Sequence, residues 1–218
     1  METFFDYQLF RSEFVKLYGA QIELNDPAHR LEHLDTVFEN ALTIKKKAES
    51  QGIVLDVDMC EIFLVAYFHD LFSRYRNVHH QLAGQFIHST DCPLVSTLCI
   101  SSAKINCRSR VVAACMEHRA SHKGEYSSDL SVLMAAADQG YPKQQPDDVN
   151  QMLARSMRYT RSKMSDDTEP NVIRNISITH IKDKFGRKGY AVKNELIKEL
   201  YAAELEKRYQ AIDALEFV

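Results

Sequence analysis

Metal-binding side chains recur along this chain in short, ordered groups. The first is Asp26-Pro27-Ala28-His29-Arg30-Leu31-Glu32-His33, and the second is His69-Asp70. His79-His80 and Glu117-His118 follow, and Ala137-Asp138 comes last. Together they spell His…His-Asp…His…His…Asp, six potential ligands with the chemistry of a two-metal site. The His69-Asp70 pair is the most telling. It ends the apolar run Ile62-Phe63-Leu64-Val65-Ala66-Tyr67-Phe68, where an imidazole and a carboxylate lose water that something must replace, and a transition-metal ion replaces it well. Adjacent residues point about 100° apart on a helix, so both reach one site only from a helix end or a bent turn. Asp138 likewise follows the apolar run Leu133-Met134-Ala135-Ala136-Ala137. Taken singly, each residue also fits a satisfied core or capping position; the joint pattern singles them out.

Helices must position these groups. Glycine and proline are scarce, at 7 and 5 residues, strand-like alternation is nearly absent, and helical periodicity dominates. Phe4 to Tyr18 reads as a helix ending near Gly19. Asp26-Pro27 starts another, which carries Leu31, Leu34, Val37, Phe38, Ala41, Leu42 and Ile44 on one face and ends at Gly52. Val57 to Phe72 is nearly all apolar and reads as the central buried helix. Val78–Ser89, Pro93–Ser102, Arg108–His118 and Ser128–Asp138 follow, then Asp147–Ser165, Asn171–Lys184 and one long helix from near Tyr190 to about Leu215. Its Leu196, Leu200, Leu205, Tyr209 and Ile212 are expected to pack back on the body. The polar stretch Lys163 to Pro170 is the one plausible linker. It gives a helical domain over 1–165 and a C-terminal helical extension over 166–218.

A length of 218 residues, 45% hydrophobic and 26% charged, suits a folded domain with a real core. The net charge of -3 supplies no basic field for nucleic acid. No apolar run is long enough for a bilayer, and Met1 to Asp6 lacks the basic start of a secretory signal. The five cysteines include no C-x-x-C pair and fit buried, reduced thiols. A cytoplasmic protein is expected, with a homodimer plausible through apolar faces of the terminal helices.

The segments His33-Leu34-Asp35-Thr36-Val37, Ala66-Tyr67-Phe68-His69-Asp70-Leu71 and Met134-Ala135-Ala136-Ala137-Asp138 resemble the HD-domain metal-dependent phosphohydrolase superfamily over roughly His29 to Tyr141. The resemblance implies an all-α HD-domain bundle with additional C-terminal helices, around a metal held by His33, His69, Asp70 and Asp138. His33 is preferred to His29 because Val37 and Ala41 follow it; His29 would lie at the pocket mouth. His80-Gln81-Leu82-Ala83-Gly84 and His118 are similar to the dinuclear subgroup. There His33, His69, Asp70, His80, His118 and Asp138 would bind two ions with Asp70 bridging. His79 and His80 cannot both face the site, and His80 is the preferred ligand. The single-metal branch usually has a glutamate where this chain has Ser73, which favours the two-metal form.

The resemblance further implies a phosphohydrolase acting on a small phosphorylated substrate, a nucleotide by preference, with one or two divalent ions of iron, manganese, cobalt, nickel or zinc. Asp70 would be catalytic, and His122 would be the general acid. Arg74, Arg119, Lys123, Lys184 and Arg187, with His29, are the candidates for phosphate or substrate contact. Solvated helix ends and a charged turn are the plainer accounts of the loops that carry Arg119–Lys123 and Lys184–Arg187. Two alternatives remain open: a diiron oxygenase on the same scaffold, and a non-catalytic nucleotide-binding module.

Overall fold

A computed structural model describes residues 5–139, 149–189 and 194–218. Among the described residues there are eleven α-helices, two short 3-10 turns and no strand, so the fold is all-α. The chain forms two compact units, Met1–Pro142 and Lys143–Val218. The polar stretch expected as a linker lies inside the second unit, between its first two helices.

The first unit holds α1 (Tyr7–Glu23), α2 (Leu31–Ser50), α3 (Met59–Phe68), α4 (His79–Ser89), α5 (Pro93–Ser101), α6 (Cys107–Glu117) and α7 (Asp129–Asp138). Helix α3 is its axis. Cys60 to Phe68 are all buried, and α2, α5, α6 and α7 all pack on it. Nine consecutive buried positions leave no amphipathic face, as expected of a helix surrounded on all sides. Its start is fixed by a reciprocal capping box. The Asp58 side chain accepts from the Glu61 N–H, and the Glu61 side chain accepts from the Asp58 N–H, satisfying two orphan donors at once. Buried Glu61 is neutralised by Arg110, whose Nε donates to it at 2.6 Å.

Helix α1 is clamped to this axis by a polar knot. Arg11 donates to both carboxylate oxygens of Asp35, at 2.8 and 2.7 Å. Tyr7 donates to the same carboxylate at 3.2 Å, and the buried Tyr67 hydroxyl does so too. Around the knot, Phe14 packs edge-on against Tyr67 and Phe68.

Several boundaries differ from the sequence expectation. Helix α1 runs through Gly19 to Glu23, because a glycine without a left-handed turn costs a helix only modestly. The segment starting at Asp26-Pro27 breaks at Arg30, whose extended backbone separates a 3-10 turn (Pro27–His29) from α2. The stop near Gly52 stands. Gly52 has φ of 78°, a backbone that favours glycine. Helix α3 ends at Phe68, four residues short of the expected end, so His69 becomes its cap and Asp70 lies just beyond.

The second unit holds α8 (Val149–Arg161), α9 (Pro170–Phe185), α10 (Glu195–Leu200) and α11 (Ala202–Asp213). Val149, Met152 and Leu153 of α8 form a core with Ile178 and Ile181 of α9, Ile212 of α11, and Leu215. The single long helix expected from Tyr190 is two helices broken at Tyr201. Its expected start lies outside the described residues. No helix among the described residues is long and apolar enough to cross a membrane.

Candidate metal centre

Helix ends build this site. His69 caps α3, His118 caps α6 and Asp138 is the last residue of α7; His33 lies in the first turn of α2, and His79 begins α4. Chain reversal at a helix end allows consecutive residues such as His69 and Asp70 to turn toward one point. The last carbonyls of a helix also lack intrahelical donors, and the imidazoles use them. His69 Nδ1 donates to the carbonyls of Val65 and Ala66 at 3.1 and 3.0 Å. His118 Nδ1 donates to Cys115 O at 2.6 Å, and His79 Nδ1 to Arg76 O at 2.8 Å. With one proton held on Nδ1, each ring, when neutral, presents the Nε2 lone pair to the site, as a metal-ligating histidine must.

Two ligand groups share Asp70. In the first, Asp70 Oδ2 lies 3.4 Å from His33 Nε2 and 3.6 Å from His69 Nε2. Asp138 Oδ1 lies 3.2 and 3.5 Å from the same two nitrogens. In the second, Asp70 Oδ1 lies 3.4 Å from His79 Nε2 and 3.8 Å from His118 Nε2, and the two nitrogens are 3.3 Å apart. Both sets can hold a metal ion. Atoms bonded to one transition metal at about 2.1 Å stand roughly 3.0–3.5 Å apart in octahedral or tetrahedral arrangement; five of the seven spacings fall in that range, and those of 3.6 and 3.8 Å lie just above it. Another observation agrees. His33 Nε2 and His69 Nε2 are buried without a hydrogen-bond partner, close to carboxylates but out of line with them, and a buried orphan nitrogen needs an explanation.

The electrostatics differ between the groups. Burial favours neutral His33, but Asp138 and Asp70 outweigh it and push the ring up to about 10. His69 is raised by the same carboxylates against its own burial. Asp70 and Asp138 are held well below the usual carboxylate range by the surrounding imidazoles, despite burial. Burial and the neighbouring His69 push His118 down to about 4, and burial lowers His79. The second group is therefore ready with neutral nitrogens, while the first is an imidazolium–carboxylate cluster that must release protons to bind a cation.

No family model, no curated protein and no solved structure matches this chain. The site's reading thus rests on its own residues and geometry.

Among the residues expected from sequence, His33, His69, Asp70, His118 and Asp138 converge. His80 does not; its neighbour His79 takes the place beside Asp70 and His118. The sequence held a signal for this. His79, Ala83 and Ile87 recur every fourth residue, and Ala83 and Ile87 are buried, so His79 continues the packed stripe of α4. Gly84 lies where α4 meets α6: a Cβ there would stand 2.7 Å from Met116 Cγ.

His29 lies at the edge, Nε2 4.0 Å from Asp70 Oδ2. A cavity of about 260 Å³ is lined by His80, Met116, Arg119, Ser121, His122 and Lys123. Two of these, His80 and Arg119, are the chain neighbours of the candidate ligands His79 and His118. Exposed Arg74 stacks on Tyr75 at 4.8 Å. In the second unit, Lys184 lies over Phe185, and the Arg187 guanidinium is held by Glu206 at 2.7 and 2.6 Å and by Asp213 at 3.4 Å. These are exposed ion pairs within its own unit.

Sequence reasoning missed two buried amides. Asn25 donates from Nδ2 to the Asp70 carbonyl at 3.0 Å and to the His29 carbonyl at 3.4 Å, and accepts from the Arg74 N–H at 3.2 Å. It ties together the three backbones around the site. Asn40, fully buried, donates to the Ala137 carbonyl at 3.1 Å and fixes the approach to Asp138. Both bonds link residues far apart in sequence, which no local pattern records.

Proposed function

We propose that this chain is an HD-type, dinuclear-metal phosphohydrolase that cleaves a phosphate ester of a small substrate, a nucleotide by preference. The observation that carries the reading is the division of the Asp70 carboxylate, with Oδ2 in one ligand group and Oδ1 in the other. Two divalent transition-metal ions held there would supply Lewis acidity and lower the pKa of water at the site.

The chain's own residues do the rest. Arg119 and Lys123 bring positive charge to the cavity beside the second group, and Ser121 adds a hydroxyl. Cationic donors of this kind hold phosphoryl oxygens and offset their developing charge. His80, displaced from the ligand role, lines the same cavity, where its ring would donate to a phosphate oxygen. His122 holds Nε2 against the Glu125 carbonyl at 3.3 Å. Its other ring nitrogen, when protonated, would pass a proton to the leaving oxygen.

The test is an anaerobic panel of mono-, di-, tri-, cyclic and dinucleotides with manganese, assayed for released phosphate or nucleotide. The Asp70→Ala protein, checked for helicity, runs beside it. Turnover in the parent and its loss in the variant is the expected result. Silence across the panel from protein carrying two ions would overturn the reading, and turnover only with iron and oxygen would replace it with the oxygenase.

A further inference from the structure

Away from the metal centre, two thiols face each other across the turn between α5 and α6. Cys99 lies in the last turn of α5 and Cys107 is the first residue of α6. Their sulfurs are 3.6 Å apart, the Cys107 S–H donating to Cys99. We propose that Cys99 and Cys107 are a reversible dithiol–disulfide pair whose oxidant is a hydroperoxide.

The two sulfurs have different surroundings. Cys99 is half-buried, whereas Cys107 is 1% exposed. Cys99 is thus the sulfur an oxidant reaches, and Cys107 is the one that completes the bond. The Cys107 hydrogen bond and the Arg108 guanidinium hold the Cys99 thiol below its ordinary value, the environment that makes a thiol reactive. Burial does the opposite to the bystanders: Cys60 is pushed up to about 11, and Cys115 is raised further. Arg108 is itself fixed in place, donating to the carbonyls of Ile87 and Thr90 and to the Ser96 hydroxyl.

Closing the bond brings the sulfurs from 3.6 Å to about 2.05 Å. Rotation of two side chains shares that movement with the turn over 102–106, in which Ala103, Ile105 and Asn106 are exposed. In the first step the Cys99 thiolate attacks the peroxide oxygen. The O–O bond breaks, the alkoxide leaves as an alcohol after taking a proton, and Cys99 becomes a sulfenic acid. In the second, the Cys107 sulfur attacks the Cys99 sulfur, the S–O bond breaks, and the hydroxide leaves as water with the Cys107 proton. The pair gives up two electrons and the hydroperoxide accepts them. A small thiol reductant reverses the change.

The experiment exposes the reduced full chain to a slight excess of hydrogen peroxide. Free thiols are then alkylated, and the protein is digested with trypsin. Cleavage after Lys104 separates the two cysteines. A peptide of Ile105 to Arg108 should appear joined to the peptide of Asn77 to Lys104, with three of the five cysteines still alkylated. Cys92 shares the longer peptide, so the link must persist in Cys92→Ser and vanish in Cys99→Ser and Cys107→Ser. Dithiothreitol should restore five alkylated cysteines. Five alkylated cysteines after peroxide would overturn the proposal, as would a link through Cys60 or Cys92, or one between two chains.

Discussion

Asp70 Oδ1 stands 3.4 Å from His79 Nε2, on the opposite side of the carboxylate from the oxygen facing His33. That contact turns a four-residue ligand group into two groups with a shared member. His79→Ala should therefore lower the bound metal from two ions per chain to one, with a loss of activity of at least 10–100-fold, the range seen for weaker disturbances of such sites. His80→Ala should keep both ions. Metal analysis of the purified variants by mass spectrometry decides between them; equal metal loss in both would contradict the assignment.

The difference between these neighbours shows what the sequence could reveal. His69, Asp70 and Asp138 stood out because each ends an apolar helical run, and a buried charge in such a place needs a partner, whereas His33 and His118 were picked out by the resemblance to the HD family. The choice between His79 and His80 depended on the rotational phase of α4. The close seat of Gly84 against Met116 on α6 and the His79-Ala83-Ile87 stripe go with that phase. Asn25 and Asn40 were invisible because their bonds are to backbone atoms 45 and 97 residues away. The all-α class was legible from periodicity, whereas the end of α3 was not, since apolar Leu71 and Phe72 prolong the helical pattern beyond it.

Metal binding should release protons. His33 is raised to about 10 in the metal-free protein, so at neutral pH its ring carries a proton that a cation must displace. A raised folded-state pKa means the imidazolium contributes stability fully below about 6.5, and that this is lost as pH rises through about 10. Affinity of the first group should then climb roughly tenfold per pH unit for each proton released across that window. His118, down at about 4, imposes no such cost on the second group. Titration calorimetry with manganese in buffers of different ionisation enthalpy measures the release; none at pH 7 would contradict the electrostatics.

Asn25→Ala should weaken metal binding without removing a ligand. The variant leaves the Asp70 carbonyl and the Arg74 N–H without their side-chain partner. An effect of about 10–100-fold on metal affinity is expected, as for other residues that orient ligands. Competition with a chromogenic chelator reads it. Unchanged affinity would show that the loop holding Asp70 is fixed by other contacts.

The Asp35 knot should govern acid stability. Burial alone would raise this carboxyl; the hydrogen bonds from Arg11, Tyr67 and Tyr7 prevail and hold it below its ordinary value. A depressed folded-state pKa contributes stability above about 4 that fades as pH falls. Asp35→Ala should cost about 1–3 kcal/mol at pH 7 through the donors left unpaired, or about 2–4 °C in Tm per kcal/mol. The gap between parent and variant should narrow below about pH 4. Denaturant melts at pH 7 and about pH 2.5 check this, since the loss falls below the ordinary carboxylate value; a gap independent of pH would remove Asp35 ionisation from the account.

The most direct test of a centre shared through Asp70 is anomalous diffraction from crystals grown with manganese. Two peaks are expected, one beside Asp70 Oδ2 among His33, His69 and Asp138, the other beside Oδ1 between His79 and His118. A single peak, or a second one at His80, would contradict the shared centre on which the proposed hydrolysis rests.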